Sequence, residues 1–281
     1  MKEKADAFSR TKRKFFPKGR NLVEIDMKFA FKSIVAAAAF VAAGAASAAT
    51  TVNVGGNVSD SLTFTGGSGA LVFSKGLISA LNVGGVGVTQ YGDASVTITR
   101  KASGSYDSVS AVAPMTAVLM DGSNIVGSRT LGGATQTSPV KDEISDGGFI
   151  SVYNLEVDAV AKRVYADIEG GNGVGSLTRY HLWDIATITG DGAVTGPGSV
   201  VQTFGGLKMN DTAMTMFNTA LALLPTGADS LALVNTKVDG FGKIESIHNF
   251  AAATPAVPEP STYLLMGLGL VGISMVARRR A

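Results

Sequence analysis

The sequence contains no cysteine, only two histidines and a single tryptophan among its 281 residues. Without cysteine the chain has no disulfides, no thiol nucleophile and no cysteine-ligated zinc site. Charged residues make up 16% of the chain and hydrophobic residues 46%, a balance that favours a packed core over general disorder. The sequence also lacks the Gly-x-Ser-x-Gly and His-Glu-x-x-His motifs of two large hydrolase groups. The composition therefore predicts a folded chain with few residue types available for catalysis.

Positive charge is concentrated at the two ends of the chain and hides an acidic middle. The formal net charge is +2, but 10 of the 24 Lys and Arg residues lie in residues 1–49, and three more are Arg278, Arg279 and Arg280. Residues 50–277 carry 11 Lys and Arg residues against 18 Asp and Glu residues, a formal charge of −7. Because a surface of this sign repels phosphate, nucleic acid is excluded as a partner of residues 50–277.

A second methionine, Met27, begins a segment with the three parts of a secretory signal. Lys28 and Lys32 supply a short basic region, and residues 34–45 form an apolar run. This run is about 12 residues long, shorter than the roughly 20 that a membrane-spanning helix needs. Small residues follow it, and we expect signal peptidase to cleave among them. The residues of this cleavage site are Ala46, Ala48 and Ala49.

Residues 1–26 do not fit the signal pattern, although they contain a short basic stretch. We interpret them as the product of a start codon assigned too early, with the signal peptide at residues 27–48. Two other interpretations stay open: an unusually long basic leader and a nucleic-acid-binding patch. The part of the chain that remains after export is a domain over residues 49–256.

Residues 257–281 combine three features in order: a proline-containing motif, an apolar segment over residues 262–277 and an arginine cluster. The prolines stop a helix from running back into the preceding domain. As a transmembrane helix, the apolar segment is about 24 Å long, and snorkelling arginines extend its reach across a bilayer. The motif is Val257, Pro258, Glu259, Pro260 and Ser261, and the membrane-stop cluster is Arg278, Arg279 and Arg280.

The orientation of this tail follows from its charge. The positive-inside rule keeps the arginine cluster cytoplasmic, so the exported domain is expected on the outer face of the inner membrane. An ordinary single-helix anchor and a buried core helix are the alternatives to a sorting signal. Core helices rarely end in three consecutive arginines, which leaves the anchor and the sorting signal.

The three parts of the tail together resemble the PEP-CTERM sorting signal of Gram-negative bacteria, in which Val-Pro-Glu-Pro-Ser, an apolar helix and an arginine cluster occur in this order. The resemblance covers residues 257–280 and concerns sorting, not the domain before it. It implies processing by an exosortase near the Pro-Glu-Pro, after which the domain is released or transferred to another carrier. The family is often linked to exopolysaccharide and biofilm matrix, and the same tail is also catalogued as an ice-binding protein C-terminal domain. The implied path runs from an intermediate anchored in the inner membrane to the cell surface or the extracellular space.

The exported domain is predicted to be mainly β: a β-sandwich or a related all-β domain with one or two short helices. Glycine-rich turn signals separate short runs rich in Val, Ile, Thr and Tyr. Alternating polar and apolar residues predict a strand at 95–99 and a hairpin with strands at 152–157 and 163–168. Further strands are predicted at 182–189, 230–238 and 243–250.

Two segments of the domain have helical features. Apolar residues three or four apart predict a helix over 211–224, where Asp211 caps the start and Pro225 and Gly227 end it. A second helix is predicted at 71–81. We expect both apolar stripes to pack on the core.

Few residues of the domain suggest catalysis. His181 and Asp184 are three residues apart, and in a strand they face opposite sides, so a catalytic pair needs a bend there. His248 is distant in sequence, and we interpret both histidines as structural or surface residues. The glycine-rich run 170–175 lacks the Gly-Lys-Ser ending of a phosphate loop, and we predict a turn.

Two other patterns suggest ligands, but each has a simpler interpretation. Asp142, Glu143 and Asp146 offer oxygen ligands for calcium, yet the spacing of an EF-hand is absent, which favours a solvated loop. Arrays of Thr on a flat sheet match an ordered water lattice, but the Thr-x-Thr pairs recur without a period and Thr favours strands in any case. The pairs start at Thr63, Thr97, Thr135 and Thr187. No catalytic, cofactor-binding or metal-binding residue is therefore predicted in the domain.

We expect a non-enzymatic protein of the cell envelope or extracellular matrix, with a structural or surface-interaction role. The alternatives are a secreted carbohydrate-active enzyme and an ice- or glycan-binding module. Two carboxylates facing each other in a cleft favour the enzyme. A flat face lined by Thr favours ice binding.

Overall fold

The computed structural model describes residues 49–254 and four residues of the tail, Leu265, Met266, Leu268 and Arg278, which are helical and exposed. The leader 1–26, the signal peptide 27–48, the sorting motif and most of the predicted transmembrane helix 262–277 lie outside the described residues. Among the residues that are described, no helix combines the length and the apolar character needed to cross a membrane.

The described domain is mainly β, as predicted, and its 15 strands form one connected sheet. Every strand pair in it is antiparallel. The strands are β1 (Thr50–Asn53), β2 (Asn57–Ser59), β3 (Leu62–Phe73), β4 (Gly87–Tyr91), β5 (Ser95–Arg100), β6 (Tyr106–Asp121), β7 (Asn124–Thr130), β8 (Gly133–Lys141), β9 (Ser145–Asp158), β10 (Arg163–Gly170), β11 (Gly175–Asp184), β12 (Thr187–Thr189), β13 (Gly198–Gly205), β14 (Lys208–Met209) and β15 (Gly242–Ala252). The longest path through the sheet runs β12-β13-β15-β3-β6-β7-β9-β10-β11-β14, and β8 joins β4 to β9.

The strand β6 joins the two halves of the sheet. It is 16 residues long, and its first part pairs with β3 and β5 whereas its second part pairs with β1 and β7. Because one strand serves both halves, the sheet is continuous. The architecture is therefore a related all-β domain with one sheet, not two separate sheets.

A single large apolar core draws on both halves of the sheet and on the helices. Fully buried members include Ile168 of β10, Phe204 of β13 and Ile244 of β15. A second, smaller cluster surrounds Phe64 and Phe250, whose ring centroids lie 5.6 Å apart. Since the core lies on one side of β9–β11, the other side of these strands is open to solvent.

Three short helices lie in the described domain, one more than the upper limit that we predicted. The helices are α1 (Lys75–Gly84), α2 (Asp211–Ala220) and α3 (Pro225–Thr236). The helix predicted at 71–81 is half right, because β3 continues to Phe73 and Ser74 caps α1 through a hydrogen bond from the Leu77 amide. The strand predicted at 230–238 is wrong, since most of it lies in α3.

The region around Pro225 explains this last error. Pro225 does not simply end a helix; it occupies the first turn of α3, where its missing N–H is not needed. Leu231 and Val234, three residues apart, face the core. The preceding helix α2 stops at Ala220, and its N-cap is Asn210, not the predicted Asp211: the Asn210 side chain accepts from the Ala213 amide.

Candidate functional site

The solvent-exposed side of β9, β10 and β11 carries polar and aromatic residues in a regular alternation. Along β10, Val164, Ala166 and Ile168 are buried in the core, and the residues between them point to the opposite side. We call this opposite side the outer face. It is formed by Arg129 of β7, Tyr153 and Glu156 of β9, the exposed-side residues of β10 from Arg163 to Glu169, and Arg179 and His181 of β11.

Two irregularities interrupt the ladder on this face. The register of β10 shifts between Tyr165 and Asp167 against β9, and it shifts twice against β11. Opposite these shifts, Asn154 has a φ of 53° and Arg179 a φ of 48°. Left-handed backbone at residues other than glycine is strained, and bulges re-aim the side chains beside them. The sheet therefore holds two unusual backbone positions around Asp167.

A hydrogen-bond network fixes these two positions. One oxygen of Asp167 accepts from the Arg179 amide at 2.8 Å, and the other accepts from the Asn154 side chain at 2.9 Å. The side-chain oxygen of Asn154 accepts a hydrogen bond from the Gly132 amide at 3.0 Å. Asp167 and Asn154 thus link β9, β10, β11 and Gly132, the residue before β8, through side-chain hydrogen bonds.

Glu156 lies between two arginines at the centre of the outer face. Arg129, directly across from it on β7, donates from Nε at 2.8 Å, and Arg179 donates from Nε and Nη2 at 3.1 Å and 2.7 Å. The Glu156 side chain is only 10% exposed. Burial by itself raises the pKa of Glu156, but the hydrogen bonds from Arg179 and Arg129 and their charges outweigh it, so the pKa lies below its usual value. Glu156 is therefore a fixed anion.

The Arg179 guanidinium is held on a third side by an aromatic ring. Its Cζ lies 4.2 Å from the centroid of the Tyr165 ring, a cation–π contact. The ring of His181 lies against the same tyrosine, with centroids 5.6 Å apart. Hydrogen bonding to Glu156 raises the pKa of Arg179, so the cation is permanent.

These groups surround a pocket of about 260 Å³ on the outer face. Most of its lining residues are polar or charged, and the charged ones are the two arginines, Glu156 and Asp167. The lining residues are Thr116, Arg129, Thr130, Leu131, Asn154, Glu156, Tyr165, Asp167 and Arg179. We call this the arginine pocket. Its side chains are preorganised by ion pairs and by the bulges, as a binding site requires.

An aromatic pair lies beside the arginine pocket. Tyr91 of β4 and Tyr153 of β9 both pair with Gly133 of β8, which has no side chain to separate them, and their rings stack with centroids 4.4 Å apart. The Tyr91 hydroxyl donates to Glu169 at 3.0 Å, and this hydrogen bond raises the pKa of Tyr91 to about 12. Tyr153 in turn pairs with Asp167 of the pocket. The outer face therefore presents a stacked aromatic surface next to a charged pocket.

The structure brings His181 and Asp184 together, contrary to the expectation for a regular strand. Their side chains are 3.0 Å apart, from Nε2 to Oδ1. The register of β11 shifts between them: Trp183 pairs with Val164 and His181 with Tyr165, so Leu182 is an extra residue that puts His181 and Asp184 on the same side. The other ring nitrogen, Nδ1, is 3.4 Å from the Asn210 amide nitrogen. His181 thus contacts Asp184 through Nε2 and Asn210 through Nδ1.

The second histidine, His248, belongs to the core. It lies on β15 between Val200 of β13 and Gly67 of β3, and its side chain is 0% exposed. Its Nδ1 is 3.4 Å from the Val200 carbonyl oxygen, whereas its Nε2 has no partner among the described residues. Burial lowers the pKa of His248 to about 4, so the side chain is neutral at neutral pH.

The remaining sequence patterns stay separate in the structure. The glycine-rich run forms the turn between β10 and β11, as predicted. Asp142, Glu143 and Asp146 are exposed around the turn between β8 and β9. Within residues 49–254, no group of three or more His, Asp or Glu side chains is placed to hold a metal ion.

The Thr-x-Thr pairs lie on β3, β5, β8 and β12, and no two of these strands are neighbours in the described sheet. They therefore do not combine into one Thr-lined face.

Sequence reasoning missed Arg129, Glu156 and Arg179. One signal was available for Glu156: in the predicted hairpin it falls on the same side as Tyr165, and the register pairs the two. No local pattern connects either arginine to them, since Arg129 and Arg179 are 27 and 23 residues away from Glu156.

No curated protein and no solved structure matches the chain. A family described as a PEP-CTERM protein-sorting motif matches residues 256–280. The match includes the motif from Val257 to Ser261 and the cluster Arg278, Arg279 and Arg280; of these, only Arg278 is among the described residues. It does not extend to the β domain. The chain thus carries a PEP-CTERM protein-sorting motif, which marks an exported protein that is sorted by an exosortase through a membrane-anchored intermediate.

Proposed function

We propose that the β domain is a non-enzymatic surface-interaction module, delivered to the cell surface or the extracellular matrix, where its outer face contacts exopolysaccharide. The observation that carries this proposal is the outer face itself: a preorganised arginine pocket beside a stacked tyrosine pair on a rigid sheet. Aromatic and arginine side chains on rigid elements are the usual anchors of binding surfaces. The sorting motif supports the location, since it belongs to exported proteins.

The carboxylates of the pocket favour binding over catalysis. A glycosidase needs one carboxyl group with a raised pKa to act as the general acid. The pKa of Glu156 is lowered instead, and Asp167 accepts one hydrogen bond on each oxygen from its own neighbours. Both groups are used to hold the pocket together, which leaves neither free to transfer protons to a substrate.

The ice-binding alternative has less support than glycan contact. Such a surface needs regularly spaced hydroxyls on a flat sheet, and the Thr pairs of residues 49–254 lie on strands that are not adjacent. The outer face is interrupted by bulges and by a pocket, features that suit a defined ligand better than a lattice.

The proposal predicts that the processed protein copurifies with exopolysaccharide and leaves it intact. In a Gram-negative host with an exosortase, we expect the domain in the polysaccharide fraction of the culture. Incubation of that polysaccharide with the purified protein should leave its chain length unchanged on size-exclusion chromatography. Shortened chains would establish the enzyme alternative, and recovery of the protein only in polymer-free fractions would contradict surface interaction.

A further inference from the structure

We infer that the arginine pocket binds the carboxylate of an acidic sugar, so that the ligand of the outer face is a uronate-containing saccharide. This inference rests on the proposed function, because it names the ligand of the same face.

The guanidinium groups of Arg129 and Arg179 keep unused donors. Each has five N–H groups. Arg129 uses only Nε, toward Glu156, and Arg179 uses Nε and Nη2. Within residues 49–254, Nη1 and Nη2 of Arg129 and Nη1 of Arg179 have no protein partner. The side chains are 43% and 56% exposed, and both arginines line the pocket.

The planar arrangement of the N–H donors in a guanidinium group favours a carboxylate as the bound anion. Guanidinium forks match the planar geometry of a carboxylate and bind it through parallel hydrogen bonds. The two arginine charges in the pocket are already balanced by Glu156 and Asp167, and the domain as a whole is acidic. A ligand with one negative charge is therefore tolerated better than a phosphate dianion.

The rest of the pocket fits the ring of a sugar. Its volume of about 260 Å³ lies just below the usual range for small-molecule sites and admits one ring, not a folded partner. Asp167 keeps acceptor capacity, and the hydroxyl of Tyr165 has no hydrogen-bond partner among the described residues. Sugar hydroxyls both donate and accept hydrogen bonds, so a pocket that offers donors as well as acceptors suits them.

The neighbouring tyrosine pair extends the site to a second sugar. Tyr153 is the cross-strand partner of Asp167, and it stacks with Tyr91 of β4, two strands further along. A chain that places its uronate in the arginine pocket and crosses the strands toward β4 meets this aromatic surface next. Aromatic faces provide a large contact area at low cost in conformational entropy.

Titration calorimetry of the processed, exported protein tests the assignment, with trigalacturonate as the acidic probe and trigalactose as its neutral counterpart. We expect the acidic probe to bind at least about tenfold more tightly. Arg179→Gln and, independently, Arg129→Gln should each remove most of this preference. Arg179→Lys should also weaken binding, because lysine keeps the charge but not the planar fork.

The matched control is Arg100→Gln, since Arg100 of β5 also lies over a tyrosine ring, at 4.5 Å from the centroid of Tyr106, but away from the outer face. It should leave the affinity for trigalacturonate unchanged. Inorganic phosphate should not displace the acidic probe at equal concentration.

Three results would overturn the inference: equal affinity for both probes, unchanged binding by both arginine variants, and displacement by phosphate. Equal affinity would leave the proposed surface contact intact. A cleaved probe, in contrast, would refute the proposed function itself.

Discussion

Replacing Glu156 with glutamine is expected to lower the free energy of unfolding by about 2 kcal/mol, because it leaves two guanidinium groups without their shared anion. Glutamine keeps the shape of the side chain, but its amide group can point an N–H donor at a donor of Arg129 or Arg179. Both arginines are roughly half exposed, and solvent screening keeps the loss below that of a fully buried pair. Urea denaturation of the wild type and the variant measures the difference.

The matched control for Glu156 is Glu245→Gln. Glu245 also lies on a strand and also forms an ion pair, with Lys243 at 2.6 Å, but its side chain is 42% exposed and it accepts from a single cation. An exposed pair of this kind contributes about 0.5 kcal/mol. If the free energy of unfolding falls by the same small amount in both variants, Glu156 does not organise the arginine pocket.

Acidification from pH 6.5 to pH 4 is expected to lower the free energy of unfolding by about 3 kcal/mol through His248 alone. The folded-state pKa of His248, about 4, lies below its ordinary value of 6.5. Between these two pH values the unfolded chain binds more protons than the folded chain. The stability that His248 contributes is therefore fully present above pH 6.5 and is lost as the pH falls toward 4. The pKa of Glu156 is also lowered, but from an ordinary value of 4.5. The stability that Glu156 contributes is therefore lost at a lower pH than that of His248.

Only two histidines occur in the chain, which allows a clean assignment of this pH dependence. His248→Gln removes the titrating group from the core, and its stability curve should be flatter between pH 6.5 and 4. His181→Gln changes the histidine of the outer face and should retain the slope of the wild type. Urea denaturation across this pH range separates them. A slope that disappears in His181→Gln and persists in His248→Gln would contradict the account.

The sequence predicted elements whose signals are local. The hairpin at 152–157 and 163–168 corresponds to β9 and β10, with Arg163 opposite Asp158, because polar and apolar residues alternate on both sides of a short turn. The helix over 211–224 corresponds to α2 because its apolar residues repeat with helical spacing. The helix α3 was missed, since its apolar run also suits a strand and the proline at its start looked like an end.

The outer face depends on contacts between distant parts of the chain. The bulge at Tyr165–Asp167 and the left-handed backbone at Asn154 and Arg179 were not predicted from the sequence. Asparagine adopts a positive φ more often than most residues but does not require it, and arginine gives no such indication. Arg179 lies over Tyr165 in a part of the sheet where the register between β10 and β11 is shifted. The sorting signal in the tail could be predicted because its motif, apolar segment and arginine cluster are contiguous in the sequence. The family match covers all three parts.

Intact-mass and terminal-peptide mass spectrometry of the protein recovered from a Gram-negative host with an exosortase tests the central claim, export and sorting, most directly. The account predicts a chain that begins after Ala48 or Ala49 and ends near Pro258–Pro260, without Arg278, Arg279 and Arg280. Replacing the three arginines with alanine should block this processing and leave residues 257–281 attached. A wild-type protein that retains both residues 1–48 and residues 257–281, wherever in the culture it is found, would contradict the account.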